Sequence, residues 1–375
     1  MRHDTNMDCN NAIRVLHVVD ILSPSSGVAS VIMNYVRGIK SVVQDIAVYG
    51  ECDGGMKSVV EMNGGIVHRL PDVALSFGRS FQKNFSDLLK KQQYKIVHGH
   101  LMNSAFIYMK EAKRRGIPHR IIHAHSTQMS DTTIKRIRNK ILSIGIPLWA
   151  NNYIAVSSAA AKQSFGKNCD ARIVSNGIDT NLFRYNKDMR TQVRRELNIP
   201  ENTVCVGHVA RFSPIKNHEF LIDVYEILRM HIDCILVLVG DGPLEGAIKN
   251  KVRDMGLQDS VKFLGLRQDA HRLYQAFDVF LLPSVSEGFG SAAVEAQCAG
   301  LGCLVSNSVP KTVICSDNIK FLPTTDAKIW ANETMRISKI LRIDGSSGVK
   351  EAKLDSISMC VKINQAYKTM LRSAV

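Results

Sequence analysis

Glu287 and Glu295 stand eight residues apart in Leu282-Pro-Ser-Val-Ser-Glu-Gly-Phe-Gly-Ser-Ala-Ala-Val-Glu295. An apolar run enters a loop with Glu287, passes Gly288, Phe289 and Gly290, and continues as a helical stretch holding Glu295. Glycines at a strand-to-helix turn let backbone N–H groups approach an anion, and the helix N-terminus adds its dipole. Eight residues of helix span about two turns, so two carboxylates so placed suit the hydroxyls of a sugar. Taken alone, the pair is explained as well by a capped helix start with an exposed Glu.

Gly207-His-Val-Ala-Arg211-Phe-Ser-Pro-Ile-Lys216 ends a strand and sets two cations around a proline turn, which suits a diphosphate. Two surface cations would look the same. In Val239-Gly240-Asp-Gly242-Pro-Leu-Glu-Gly246 the last glycine falls one place too late for a dinucleotide fingerprint. A tight glycine turn lining a nucleotide pocket is the expectation there. Ser23-Pro-Ser-Ser-Gly27 follows the first strand and opens a helix, again offering free N–H groups. Two H-x-H pairs, His98/His100 and His123/His125, sit at strand ends. Residues i and i+2 share a face, so each pair could ligate a metal or line a polar site. No acidic ligand accompanies them and no Asp-x-Asp motif is present, so no metal is assigned.

These residues need elements to hold them. Short apolar strands alternate with amphipathic segments throughout, which predicts α/β layers with parallel sheets. The expected strands are 14–19, 45–49, 66–69, 96–98, 120–124, 153–156 and 172–174, then 204–209, 235–239, 261–264, 279–282 and 303–306. The charged stretch Arg184–Asn202 reads as a linker with the first helix of a second domain. The resulting expectation is two doubly wound, Rossmann-like parallel-sheet domains. Each binds ligand outside the carboxyl ends of its strands, and a cleft between two facing sheets is where a site belongs.

Composition narrows the class. The chain has 375 residues, 45% of them hydrophobic, which excludes wholesale disorder. Nine scattered cysteines without a C-x-x-C pair fit neither a disulfide framework nor a zinc ribbon, and point to a reducing cytoplasm. No signal peptide is expected, because the polar first eleven residues are not followed by an apolar h-region. Residues 141–161 lack charge over a spanning length but contain Gly145, Pro147, Asn151 and Asn152, so they read as a helix end and a strand. The net charge is +14, and residues 1–180 carry 23 Lys and Arg against 13 Asp and Glu. Such a field attracts nucleic acid, anionic lipid or phosphorylated substrates alike. No nucleic-acid-binding motif supports the first.

Taken together, these segments resemble the retaining, GT-B-fold glycosyltransferases of group 1, family four. Glu287-x7-Glu295 with its Gly-Phe-Gly is the family's signature. Ser26-Gly27-Val28, His123-Ala-His125-Ser126, Val174-Ser-Asn176-Gly177-Ile-Asp179, Arg211-x4-Lys216 and Gly240-Asp-Gly242 stand around it in matching order. The resemblance runs from Arg14 to about Trp330, and is nearest to bacterial exopolysaccharide and capsular-polysaccharide enzymes. Ser175 departs from the family's usual proline, and Cys298 and Cys303 occupy small-residue positions.

The resemblance implies an acceptor-binding domain over 1–185, a nucleotide-sugar domain over 186–350, and a C-terminal helix over 351–375 crossing back to the first domain. It implies a retaining, metal-independent transfer from a nucleotide diphosphate sugar, a UDP-sugar, to a lipid-linked glycan. Arg211 and Lys216 would hold the diphosphate, Glu295 the ribose, and Glu287 the donor sugar. The backbone of Gly288, Phe289 and Gly290 would support sugar and phosphate. Gly27, Gly240 and Gly242 would line the donor site, and His125 would lie near the anomeric carbon. His123 is assigned either a functional or a structural part. No cofactor is implied beyond the donor itself. The positive first domain would dock on the anionic inner face of the cell membrane through Lys113–Arg115 and Lys135–Lys140. A nucleotide-sugar epimerase of the same fold and a non-catalytic nucleotide-sugar-binding subunit are the alternatives.

Overall fold

The structure is a computed structural model that describes residues 13–73, 78–126 and 145–373. The chain divides into two compact units. One comprises residues up to His125, those from 145 to Val174 and those from Met359 onward; the other comprises Ser175–Ser358.

The first unit is built on a parallel seven-stranded sheet. Its strands are β1 (Arg14–Val19), β2 (Val43–Val48), β3 (Val67–Arg69), β4 (Ile96–Gly99), β5 (His119–Ala124), β6 (Asn152–Ala155) and β7 (Arg172–Ile173), in the order β3-β2-β1-β4-β5-β6-β7. The order reverses between β1 and β4. Alternation along β1 shows why helices cover both faces. Val15 and Val19 join a core with Tyr35 of the helix Gly27–Gly38, and Leu16 and Val18 join another with Phe81 and Phe85 of the helix Arg79–Lys91. In that second helix Phe81, Phe85, Leu88 and Leu89 recur at helical spacing and are buried, each contributing ~1.5–3 kcal/mol.

The second unit repeats the scheme with β8 (Val204–Val209), β9 (Cys234–Val239), β10 (Val261–Phe263), β11 (Val279–Leu282), β12 (Gly302–Ser306) and β13 (Ile319–Leu322), ordered β10-β9-β8-β11-β12-β13. Here the reversal falls between β8 and β11. Strand β13 is absent from the sequence expectation because Lys320 interrupts a four-residue run at the sheet's edge. Cys298 and Cys303 are fully buried, in keeping with small apolar positions.

Two boundaries differ from those read from sequence: residues 175–185 and 351–358 both fall in the second unit. There Ile178 bonds Leu354 and Ser356 through their backbones. The charged stretch after Arg184 is packed rather than linking. Its helix Lys187–Glu196 sends Arg190 and Arg194 to the Asp278 carboxylate at 2.5 and 3.0 Å, and both arginines also donate to the Ala276 carbonyl. Hydrophilic composition concealed this contact because both arginines satisfy backbone carbonyls. The helix Ser356–Arg372 sets Met359, Cys360, Ile363, Ala366, Tyr367 and Met370 into the first unit's core.

Among the described residues no helix is long and apolar enough to cross a membrane. Within 141–161, the helix Ile146–Trp149, β6 and the start of the helix Ser158–Phe165 follow one another; 141–144 lie outside the described residues.

Candidate active site

In the second unit, the loops leaving β8 and β11 flank the point where strand order reverses. In doubly wound sheets ligands bind there. Arg211 leaves β8 with an exposed side chain. Lys216 closes the 3₁₀ turn Pro214–Lys216, after which Asn217 in the left-handed region starts the helix His218–Arg229. Across the reversal, Val285 N–H donates to the Ile215 carbonyl at 2.8 Å, tying the two loops together. Lys216 Nζ then lies 2.6 Å from Glu287 Oε1, and Ser284 Oγ donates to the same oxygen at 2.7 Å. Ser306 in turn donates to the Ser284 carbonyl. Glu287 thus holds Lys216, a partly exposed cation, on the same loop that carries exposed Arg211.

Gly290 starts the helix Ser291–Cys298 in the left-handed region, and Phe289 is buried. Phe289 therefore serves the loop through its backbone, its ring belonging to the interior. Within that helix the Glu295 carboxylate accepts from Tyr274 O–H at 2.8 Å. Burial pushes Glu295 up to about 7, against the opposing effect of the tyrosine. A carboxylate there can change charge near neutral pH.

Gly240 and Gly242 each have a structural reason to be glycine. Their φ values are 136° and 148°, and a Cβ at Gly240 would fall 2.1 Å from the Ala210 carbonyl oxygen. At Gly242 it would fall 2.5 Å from that of Phe212. With Phe212 N–H donating to the Asp241 carbonyl at 2.7 Å, the glycines let the β9 loop brace the β8 loop that carries Arg211. They fix the loop on which Arg211 stands.

The first unit presents different chemistry at the carboxyl ends of β1, β4 and β5. Gly27 opens its helix with nothing within 4 Å of a would-be Cβ, and Ser26 caps the helix by accepting from Ala29 N–H at 3.3 Å. His98 and His100, and His123 and His125, share one sheet face with His17 of β1. Their rings hydrogen-bond: His17 Nδ1 to His100 Nε2 at 2.9 Å, His100 Nδ1 to His125 Nε2 at 2.8 Å, and His98 Nε2 to His123 Nδ1 at 3.2 Å. His17 Nε2 reaches Gln44 Oε1 at 2.5 Å, and His98 Nδ1 reaches Tyr367 O–H at 2.7 Å. Burial lowers all five, His17 to about 4 and His125 to about 3, so each is neutral at pH 7. Ligand nitrogens of His17, His98 and His100, and of His100, His123 and His125, lie within 4.8 Å of one another, with no carboxylate in either group. Ring-to-ring hydrogen bonds already engage most of those nitrogens.

Sequence reasoning missed Ser284, although it stands in the quoted motif. It also missed Tyr274, Gln44 and His17, which carry no local signal. The basic cluster Lys113–Arg115 proves less free than its charge suggested. Glu111, fully buried, accepts from Arg114 at 2.9 Å and Arg115 at 3.0 Å, and Lys113 donates to the Leu148 carbonyl. Burial raises the Glu111 carboxyl, but hydrogen bonds from Arg114, Ser86, Gln82 and Arg115 outweigh it and hold the group at about 2. Lys135–Lys140 lies outside the described residues.

Two Rossmann-like units, the second with a cation–carboxylate pair at its strand reversal, are the architecture of the GT-B glycosyltransferases. Comparison with known proteins agrees. Residues 189–337 match the family "Glycosyl transferases group 1", and residues 25–182 match "Glycosyltransferase Family 4". A putative glycosyltransferase of Bacillus subtilis, EpsF, is 32% identical over 311 residues, 80% of each chain. The Escherichia coli UDP-Gal:alpha-D-GlcNAc-diphosphoundecaprenol alpha-1,3-galactosyltransferase is 30% identical over 233 residues, 59% of each chain. The crystal structure of Anabaena Alr3699/HepE in complex with UDP and glucose shares the fold, with a TM-score of 0.79 and 19% identity over 95% of this chain and 100% of that one. The chain belongs to the group 1 glycosyltransferases.

Proposed function

We propose that the protein transfers a sugar from a UDP-sugar, with retention and without a metal, to a lipid-linked glycan in bacterial exopolysaccharide or capsule synthesis. The observation that carries this reading is the Lys216–Glu287 pair, on the same β8 loop as exposed Arg211, at the reversal between β8 and β11. Arg211 and Lys216 neutralise the diphosphate as the bond from the anomeric carbon to phosphate oxygen breaks, where preorganised charge acts most strongly. The acceptor hydroxyl bonds to that carbon from the same face and gives its proton to the departing phosphate oxygen. Glu287, held by Lys216 and Ser284, orients the sugar hydroxyls, and Glu295 accepts from the ribose. The backbone of Gly288, Phe289 and Gly290 supports sugar and phosphate. From the first unit, His125 serves the donor sugar and Gly27 the phosphates. The name of the Escherichia coli relative, a galactosyltransferase with a UDP donor and a diphosphoundecaprenol-linked acceptor, favours this donor and acceptor class.

The test is a screen of nucleotide sugars for protection against thermal unfolding. The true donor at saturation is expected to add ~2–4 kcal/mol of stability through linkage. No response to any UDP-sugar would overturn the donor assignment. Product anomeric configuration by NMR decides retention, and activity in excess chelator decides metal independence.

A lipid-borne acceptor puts the enzyme at the anionic cytoplasmic face of the membrane, where each Lys or Arg near the surface adds about 1 kcal/mol. Because Glu111 neutralises part of the Lys113–Arg115 cluster, charge reversal at Lys135–Lys140 is expected to reduce liposome sedimentation more than reversal at Arg114. The opposite ranking would move the docking face to the 113–115 cluster.

A further inference from the structure

His17 lies directly across from His98 in the β1–β4 register, and all five rings of the cluster project to one face between Tyr35 and Tyr367. Two hydrogen-bonded chains run through it. One is Gln44–His17–His100–His125, with contacts of 2.5, 2.9 and 2.8 Å. The other is Tyr367–His98–His123. Each ends at a buried nitrogen that has no partner among the described residues, His125 Nδ1 and His123 Nε2.

The first chain has a direction that the second lacks. A neutral imidazole carries one N–H and one lone pair, so each ring that uses both nitrogens donates once and accepts once. Gln44 presents its carbonyl oxygen, which only accepts, to His17, and its own Nε2 is buried without a partner among the described residues. His17 must therefore donate from Nε2, accept at Nδ1 from His100 Nε2–H, and leave His100 Nδ1 to accept from His125 Nε2–H. The last ring is left with a lone pair on Nδ1. A tyrosine hydroxyl both donates and accepts, so Tyr367 imposes no such order on His98 and His123.

We propose that Gln44, His17 and His100 are positioning residues that lock His125 in its Nε2–H tautomer and keep its buried Nδ1 as the acceptor for a hydroxyl of the bound sugar. The chain fixes orientation and does not conduct a proton, because a terminal amide cannot take one. An unpartnered buried acceptor is costly until a donor arrives, so the site favours a ligand with a hydroxyl there over one without. The assignment of the sugar to His125 rests on the proposed transferase function; the tautomer lock rests on the hydrogen-bond chain alone.

The experiment separates the two. Long-range proton–nitrogen NMR on the full chain labelled with nitrogen-15 histidine reads the protonated nitrogen of each ring, with His125 identified by its loss in His125→Asn. The expected result is a bare Nδ1 on His125, a mixture of tautomers in Gln44→Leu, and the wild-type pattern restored in Gln44→Glu, whose carboxyl again accepts from His17. In binding assays, Gln44→Leu is expected to weaken the donor nucleotide sugar about tenfold while leaving UDP unchanged. A protonated Nδ1 in the wild-type protein, or an unchanged tautomer in Gln44→Leu, would overturn the lock. So would stoichiometric zinc binding to His100, His123 and His125, since the metal would take the lone pair that His100 offers to His125. If the tautomers behave as expected but UDP and donor are weakened equally, the lock stands and the sugar assignment at His125 fails. If neither UDP nor any nucleotide sugar binds, the transferase reading fails and the NMR result still decides the lock.

Discussion

The two units share one topology and solve opposite electrostatic problems at their strand reversals. In the second, β8 and β11 present ionised side chains: exposed Arg211, and Lys216 2.6 Å from Glu287. In the first, β1, β4 and β5 present five buried imidazoles that are neutral at pH 7. A diphosphate needs fixed positive charge in a partly exposed setting. A sugar is recognised by the direction of hydrogen bonds, which neutral rings supply without attracting counter-ions. Under the proposed function, this contrast would separate anion binding from hydroxyl recognition through side-chain choice at equivalent strand ends.

The largest expected effect strikes the charged unit. Converting both Arg211 and Lys216 to alanine is expected to lower kcat at least about a thousandfold and abolish UDP binding by calorimetry, since each electrostatic donor is worth roughly a hundredfold or more. Glu287→Gln is expected to lower turnover about a hundredfold while UDP binding persists. Full activity in either variant would erase the distinction between the units.

Next comes acid stability, which the neutral unit governs. Each buried imidazole stays neutral when folded and protonates near pH 6.5 when unfolded. The unfolded state therefore binds more protons, and the stability present above pH 6.5 is lost as pH falls toward the lowered folded values, by up to about 1.4 kcal/mol per pH unit for each ring. In the first unit these five rings act with His68 and His119, also lowered by burial, against His208, His218 and His271 in the second, of which His208 is lowered to about 4 and His218 to about 2 by burial. Trp149 lies in the first unit and Trp330 in the second, so single-tryptophan variants report each by fluorescence. Trp149 is expected to respond at higher pH than Trp330. Coincident transitions would break the comparison.

A smaller effect sharpens it. Glu295, raised to about 7 by burial, is the better acceptor for ribose hydroxyls when ionised. UDP affinity is expected to fall severalfold between pH 8 and pH 6, and Glu295→Gln to flatten that dependence. A wild-type profile without slope would remove Glu295 from the nucleotide site.

Much of this was legible in the residues. Alternating apolar runs gave β1, β8 and β11 their full spans, and the Glu287–Glu295 segment announced a loop entering a helix. The spacing of Phe81, Phe85, Leu88 and Leu89 carries the period of the helix Arg79–Lys91. Other features were not local. The Arg190 and Arg194 contacts to Asp278 turn an apparent linker into packed structure, and nothing near Asp278 signals this in sequence. Gly240 and Gly242 read as pocket glycines, and the neighbouring Ala210 and Phe212 carbonyls that exclude a side chain there are visible only in the fold. The cluster at Lys113–Arg115 looked like a free positive patch until buried Glu111 appeared among its guanidinium groups.

Sequence by itself determined the fold class, the order of the motifs and the residue types at each strand end, because hydrophobic period and turn chemistry are properties of neighbouring residues. Tertiary structure decided which of those residues meet. Lys216 and Glu287 are 71 positions apart, and Gln44 reaches His125 through His17 and His100 over a span of 81. Parallel strands bring such residues together through crossover connections that erase sequence distance. Charge state follows from the same cause. Burial among those partners, and not residue type, makes five histidines neutral and gives Glu295 a carboxyl that titrates near pH 7.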